Sequence, residues 1–94
     1  MDITIGYIRG WFDRSCAINV GTRSLFVRSK RDQPLRNIAV ALEGKGVSNS
    51  FVLRNDQWEL RIGTREALEA FRSEIGFGCP SKSEKLDTIL NSYN

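Results

Sequence analysis

The chain has 94 residues, of which 40% are hydrophobic and 27% charged, so it fits one globular domain of ordinary composition. It contains no histidine, which excludes Ser-His-Asp, Cys-His and histidine–metal chemistry and leaves a carboxylate-bound hard cation as the main catalytic option. The net charge of +3 is only a mild bias toward a polyanionic partner.

The two cysteines, Cys16 and Cys79, are too few for a disulfide framework, and neither belongs to a CxxC pair. We therefore expect two reduced thiols and no zinc site. No apolar run approaches the about 20 residues that cross a bilayer, and the start, MDITIGYIRG, lacks the pattern of a signal peptide. These features favour a cytoplasmic protein without membrane contact.

The first predicted elements are a helix and a hairpin. Apolar residues recur at helical spacing in the first segment, and two glycines four residues apart, Gly6 and Gly10, favour close approach of another helix. Alternation over residues 16–20 and the stretch SLFVRSK then predict two strands joined by a turn at Gly21-Thr22. The apolar face of the helix consists of Ile5, Ile8, Trp11 and Phe12.

The second predicted helix begins near Asp32 and Pro34, and Gly44 and Gly46 end it. Its apolar face is Leu35, Ile38, Ala39 and Leu42. The stretches NSFVLR and QWELRIG follow and predict a second hairpin around Asn55-Asp56.

Two further helices complete the predicted order. Thr64 can cap a third helix, which ends at Gly76. Ser81 and Glu84 form an S-x-x-E capping box for a fourth. The order is αββαββαα, which predicts an α+β fold with one four-stranded antiparallel sheet and helices on one face.

Strand side chains alternate between faces, and the helices need an apolar face to cover, so we predict that the other face is open. The inward set is Ile18, Val20, Leu25, Val27, Phe51, Leu53, Trp58, Leu60 and Ile62. The open set is Ala17, Asn19, Ser24, Phe26, Arg28, Lys30, Ser50, Val52, Arg54, Gln57, Glu59 and Arg61. Arg, Asn and Gln side chains form hydrogen bonds with base edges, so this set favours a DNA-binding face. The alternative is an ordinary solvated face, which is also polar.

With these elements in order, IRGWFDRSC (residues 8–16) resembles the signature of the LAGLIDADG homing endonuclease family. Gly10 stands at its first glycine and Asp13 at its first acid. RNIAVALEGKGV, WELRIGTREALEAFRSEIGF and CPSKSEKL are similar to family stretches further along the chain. The resemblance implies an αββαββα fold whose signature helix packs against a partner from a second copy or a second repeat.

The resemblance also implies that the second acid of the signature holds a divalent cation. Ser15 stands at that position, Arg14 precedes it with a positive charge, and Cys16 replaces the closing glycine. A neutral hydroxyl is a poor ligand for Mg²⁺, so we predict no metal ligand here and no cleavage. No cofactor is expected, with Mg²⁺ required only if nuclease activity is retained.

We therefore predict a homodimer whose two sheets form a continuous basic saddle on double-stranded DNA. The predicted dimer interface comprises Gly6, Ile8, Gly10, Trp11 and Asp13. The predicted DNA-binding residues are Asn19, Arg23, Ser24, Arg28, Lys30, Arg31, Arg54, Gln57 and Arg61, with Arg36 as a further phosphate contact.

Two alternatives remain open. The first is an active Mg²⁺-dependent endonuclease that uses Asp13, with Glu59 as a second acid. In the family a polar residue at Ser29 or Lys30 positions water and Lys82 supports the active site, although we favour a solvated position for Lys82. The second alternative is a dimerisation or protein-interaction module that does not bind DNA.

Overall fold

The computed structural model describes residues 3–93, which fold as four helices and four strands. In chain order these are α1 (Ile5–Ser15), β1 (Ala17–Asn19), β2 (Ser24–Ser29), α2 (Asp32–Gly44), β3 (Ser50–Arg54), β4 (Gln57–Ile62), α3 (Arg65–Glu74) and α4 (Pro80–Asn91). The predicted α+β class and element order are confirmed. None of the helices within this range is long and apolar enough to cross a membrane.

The strands form one antiparallel sheet in the order β1-β2-β4-β3. Arg28 lies opposite Glu59, which lies opposite Val52 on the next strand. Side chains of directly opposed residues share a face, so these belong to the open face. Leu25 and Leu60 belong to the other face and are completely buried under the helices. The prediction of one covered and one open face is therefore confirmed.

The core lies between the covered sheet face and the helices. Helices α1 and α3 meet through Phe12 and Phe71, whose ring centroids are 4.7 Å apart. Phe77, in the loop after α3, packs on both rings at 6.4 and 5.3 Å. These aromatic contacts connect the first helix to the α3–α4 loop and so determine where the end of α1 lies.

Local signals place several boundaries as predicted. Asn55 and Asp56 both have positive φ, 51° and 63°, as a two-residue type I′ hairpin turn requires. The Thr64 hydroxyl accepts a hydrogen bond from the Ala67 N–H at 3.2 Å and caps α3. Gly76, with φ +70°, follows the end of that helix.

Three local predictions are wrong. Helix α4 begins at Pro80, its N-cap residue is Cys79 rather than Ser81, and the Cys79 side chain forms no capping hydrogen bond, so the predicted capping box does not form. Val20 follows the last residue of β1 and is 40% exposed, because the turn carries it away from the core. Leu53 is 58% exposed because it lies near the end of an edge strand, beyond the cover of the helices.

Candidate nucleic-acid interface

The open face of the sheet carries exposed or half-buried polar and cationic side chains. Phe26 lies opposite Arg61, and Arg54 lies opposite Gln57, so these residues are brought together on that face. Exposed residues of this face include Asn19, Arg28, Val52 and Arg54, whereas Phe26, Gln57 and Arg61 are half-buried. The result is a surface in which hydrogen-bond donors alternate with a few apolar side chains.

One acid, Glu59, also belongs to the open face, yet it is only 4% exposed. Its Oε1 accepts a hydrogen bond from Arg28 Nε at 3.1 Å. The guanidinium carbon of Arg28 lies 4.8 Å from the centroid of the Phe26 ring. Glu59 therefore lies beneath Arg28, and this part of the face presents an arginine whose charge is already balanced.

A cavity of about 300 Å³ opens at one end of this face, where β3 begins and β4 ends. It is lined by Ser48, Asn49, Ser50, Arg61, Gly63 and Thr64. Arg61 packs beside Gly63: its Nε lies 3.7 Å from the point where a Cβ of residue 63 would stand, an ordinary van der Waals distance. The cavity gives the open face a concave end whose lining surface is mostly apolar, with Arg61 beside it.

Two of the predicted DNA-binding residues do not lie on an accessible part of this face. Ser24 is 1% exposed and its hydroxyl is hydrogen-bonded to that of Thr22 at 2.8 Å, so it cannot contact DNA. Arg23, with φ 55°, donates from Nε to the Ser92 hydroxyl at 2.8 Å and lies over Tyr93. Its side chain is therefore turned toward the end of α4.

Arg36, expected as a further phosphate contact, lies away from the open face. Its guanidinium carbon lies 5.3 and 5.6 Å from the ring centroids of Phe51 and Trp58, which stack on each other. It also donates to Asp32 at 3.2 Å. Arg36 therefore covers aromatic rings on the helix side of the sheet and is not part of the open face.

Lys30 and Arg31 are exposed in the connection between β2 and α2, at the end of the open face. The backbone N–H of Arg31 donates to the Ser29 hydroxyl at 3.1 Å. That hydroxyl, one of the two candidates for positioning water, is therefore engaged in the start of α2. The two cations project into solvent beside the face.

Helix α1 has two different sides. Ile8 is completely buried in the core of its own chain, so its assignment to a dimer interface is wrong. Gly6 and Gly10 lie about 160° to 200° around the helix from Ile8 and face outward. Among the described residues, a Cβ at Gly10 would meet no atom within 4 Å, and one at Gly6 would meet only the Thr4 hydroxyl oxygen at 3.9 Å. Trp11 is half-buried on the flank between the two sides.

The carboxylate of Asp13 is bound by the start of α4. It accepts from the Gly78 N–H at 2.9 and 3.2 Å and from the Cys79 N–H at 3.1 Å. Cys79 is the N-cap residue of α4 and has no side-chain capping bond of its own. Asp13 therefore supplies the N-terminal cap of a helix that begins far along the chain.

Lys82 makes the reverse connection. Its ammonium group donates to the carbonyl oxygens of Asp13, at 2.6 Å, and Phe12, at 3.1 Å, in the last turn of α1. The favoured interpretation of Lys82 as a solvated helix residue is therefore wrong. Arg9 adds a third link, since its guanidinium donates twice to the Ile75 carbonyl at the end of α3. Two sequence signals bear on this junction: Arg9 and Asp13 are four residues apart, and the family resemblance implies that Lys82 supports the active site at the end of the signature helix.

The acids of one chain do not fit a magnesium site. Mg²⁺ requires several oxygen ligands in near-octahedral geometry. Ser15, the exposed last residue of α1, offers one hydroxyl, while Asp13 is bound by backbone N–H groups and Glu59 by Arg28. Within residues 3–93 no group of three His, Cys, Asp or Glu side chains could hold a metal ion.

Both cysteines are free thiols in different surroundings. Burial raises the pKa of Cys16 to about 12, since the thiolate would lose its hydration. A hydrogen bond with the Ser81 hydroxyl, at 3.3 Å, lowers the pKa of Cys79 below its ordinary value. Cys79 is therefore the more reactive of the two.

Comparison with known proteins gives two matches. The homing endonuclease I-ApeI of Aeropyrum pernix is 29% identical over 92 residues, which cover 94% of this chain and 41% of that protein. Full-length DUF199/WhiA from Thermatoga maritima superposes with a TM-score of 0.72 over 96% of this chain and 32% of that one, at 16% identity. No family model matches the sequence.

The chain thus spans about two fifths of the length of I-ApeI and a third of that of WhiA. The likeness to WhiA shows that the fold is LAGLIDADG-like. The likeness to I-ApeI supports a homing-endonuclease-like relationship for this chain.

Proposed function

We propose that this chain binds double-stranded DNA as a homodimer through the open face of its sheet and does not cut it. The likeness to a homing endonuclease indicates DNA binding or an endonuclease-like function. The observation that carries the proposal is the contrast between the two sheet faces. One is apolar and buried, and the other presents arginine and amide side chains at strand spacing.

The open face offers groups for two kinds of contact. Arg28, Arg61 and Gln57 can form paired hydrogen bonds with base edges in the major groove, which a two-stranded ribbon fits. Lys30 and Arg31, exposed at the end of β2, are suited to phosphates. Phosphate contacts supply salt-dependent affinity, and base contacts supply sequence preference.

Homodimerisation is supported by the outward glycines of α1. Glycine within a helix costs roughly 1 kcal/mol relative to alanine, and the packing of one chain gives no reason for it at Gly10. Close approach of a second α1 would supply the reason. Two-fold symmetry then predicts a roughly palindromic DNA site.

Absence of cleavage is supported by the end of α1. Ser15 provides no carboxylate at the position where the resembling family holds its metal, and Arg14 adds positive charge beside it. Asp13, the alternative ligand, already binds the Gly78 and Cys79 N–H groups. Recruiting Asp13 for a metal would uncap α4.

The test is selection from a random duplex-DNA library with and without Mg²⁺, followed by sequencing of bound and cleaved products. We expect an enriched, roughly palindromic site and intact DNA. Arg61→Ala should weaken binding to that site, whereas the matched control Lys85→Ala, which removes an exposed charge on α4, should not. Absence of duplex affinity at low salt would instead favour the interaction module.

Cleavage would contradict the second half of the proposal. If the wild type nicks its own site in Mg²⁺ and a folded Asp13→Asn variant does not, Asp13 is a metal ligand and the protein is an active endonuclease. Circular dichroism of the variant separates this result from loss of the α4 cap.

The missing acid can also be restored. Because Ser15 is exposed, Ser15→Asp should fold normally and raise the affinity for Mg²⁺ or Mn²⁺, measured by isothermal titration calorimetry of the DNA-bound protein. Neutralising Arg14 in the same variant should raise it further, because a nearby guanidinium disfavours a bound cation. Unchanged affinity in both variants would show that position 15 is not a metal position.

A further inference from the structure

The pair formed by Glu59 and Arg28 is unusual for a solvated sheet face. Glu59 is in the middle of β4, opposite Arg28 on β2 and Val52 on β3, and its side chain is only 5% exposed. A carboxylate removed from water needs a charged partner, because an unpaired buried charge is strongly destabilising. Arg28 is that partner, and its own side chain remains 53% exposed.

Two contacts hold the Arg28 guanidinium in place. Its Nε donates to Glu59 Oε1 at 3.1 Å, and its guanidinium carbon lies over the Phe26 ring, 4.8 Å from the centroid. Phe26 is two residues earlier on the same strand and face, so the contact follows from strand geometry. A side chain that is fixed before binding loses less conformational freedom when it contacts a ligand.

The bond through Nε leaves the two terminal NH2 groups of Arg28 free at the end of the side chain. Within residues 3–93 these groups have no protein acceptor. Their fork matches two acceptors in one plane, and guanine presents such a pair, O6 and N7, in the major groove. Glu59 itself is too deeply buried to receive a hydrogen bond from a base.

The charge of the pair distinguishes a base contact from a phosphate contact. Glu59 balances Arg28, so the pair adds little net attraction for the phosphate backbone. Arg54, on the same face, is exposed and takes part in none of the ion pairs of the described residues. Arg54 is thus suited to phosphates and Arg28 to a base edge.

Building on the DNA binding proposed above, we propose that Arg28 reads a guanine in each half-site and that Glu59 is a positioning residue that orients it. Arg28 determines the preference for one base pair. Glu59 does not contact DNA, but it determines the size of the preference for guanine over other bases at that position.

The test compares the selected sites of the wild type, Arg28→Lys, Glu59→Gln and Arg54→Ala. Arg28→Lys keeps the positive charge but cannot form the two parallel hydrogen bonds of a guanidinium. It should lower the preference for guanine at one position per half-site about 10-fold or more. Glu59→Gln keeps an acceptor but not its charge. It should lower that same preference severalfold, leave other positions unchanged and tighten binding to random DNA.

Salt dependence provides the second measurement. Arg28→Lys should leave the slope of log affinity against log salt unchanged, and Arg54→Ala should reduce it by about 1. If guanine preference does not change in either Arg28→Lys or Glu59→Gln while specific binding persists, the inference is wrong and DNA binding stands. If the wild type has no duplex affinity, both proposals fall.

Discussion

Replacing Asp13 by alanine should destabilise the fold through the loss of the cap that joins α1 to α4. The carboxylate accepts from two backbone N–H groups, at 2.9 Å from Gly78 and 3.1 Å from Cys79. Hydrogen bonds to a charged group contribute roughly 1.5–3 kcal/mol, and loss of a helix N-cap costs roughly 0.5–2 kcal/mol. Because Gly78 is exposed, water can replace part of this interaction. We therefore expect a loss of about 2 kcal/mol.

A second substitution tests the contact itself. A Cβ at Gly78 would lie 2.7 Å from Asp13 Oδ2, so Gly78→Ala must displace the carboxylate. The overpacking should cost about 1–2 kcal/mol in the wild type. Gly78 does not have the positive φ that would strain alanine. In the Asp13→Ala background the same change should therefore be neutral or stabilising, which gives a coupling energy of at least about 1 kcal/mol.

The assay is urea denaturation of the four variants of this cycle, followed by circular dichroism. A loss of about 2 kcal/mol in a domain of this size corresponds to a fall in Tm of roughly 8–16 °C. The control is Glu69→Ala, which removes an exposed α3 pair with Arg65 and should cost only about 0.3–0.5 kcal/mol. If Asp13→Ala costs no more than the control, or if the two substitutions are additive, Asp13 is not the cap of α4.

The remaining predictions concern α1 and the thiols. Gly10→Leu should leave the fold intact, since a Cβ there would meet no atom of residues 3–93 within 4 Å, but it should prevent dimerisation measured by light scattering. A wild type that is monomeric at micromolar concentration would refute the dimer. Iodoacetamide at neutral pH should label Cys79 and not Cys16, because a lowered pKa gives more thiolate whereas burial keeps Cys16 protonated. Mass spectrometry distinguishes the two sites, and equal labelling in the native state would contradict the surroundings described.

The order of elements could be predicted from the sequence because its signals are local. The Asn55-Asp56 turn, the Thr64 cap and Gly76 depend on a few neighbouring residues, and the structure contains all three as predicted. Alternation along the strands likewise assigned Leu60 to the covered face and Arg61 to the open one. A period of two in side-chain direction does not depend on which strands become neighbours.

Burial within a face could not be predicted in the same way. Strand alternation correctly assigned Ser24 and Glu59 to the open face, yet these residues are buried, with 1% and 4% exposure. Their burial depends on side chains of neighbouring strands, such as Arg28 above Glu59. The strand order β1-β2-β4-β3, which makes β2 and β4 neighbours, is a property of the whole chain. The burial of Ile8 could not be predicted from the sequence either, because only the packing of α1 decided which side of that helix enters the core.

The sequence by itself determined the elements, the two faces of the sheet and the absence of an acid at Ser15. Only the tertiary structure decided what Asp13 and Lys82 do. Asp13 contacts Gly78, which lies 65 positions further along the chain, and Lys82 donates to the carbonyl oxygen of Asp13, 69 positions before it. Contacts of that separation leave no periodicity or spacing in the sequence, because they arise only when aromatic packing brings the end of α1 against the α3–α4 loop.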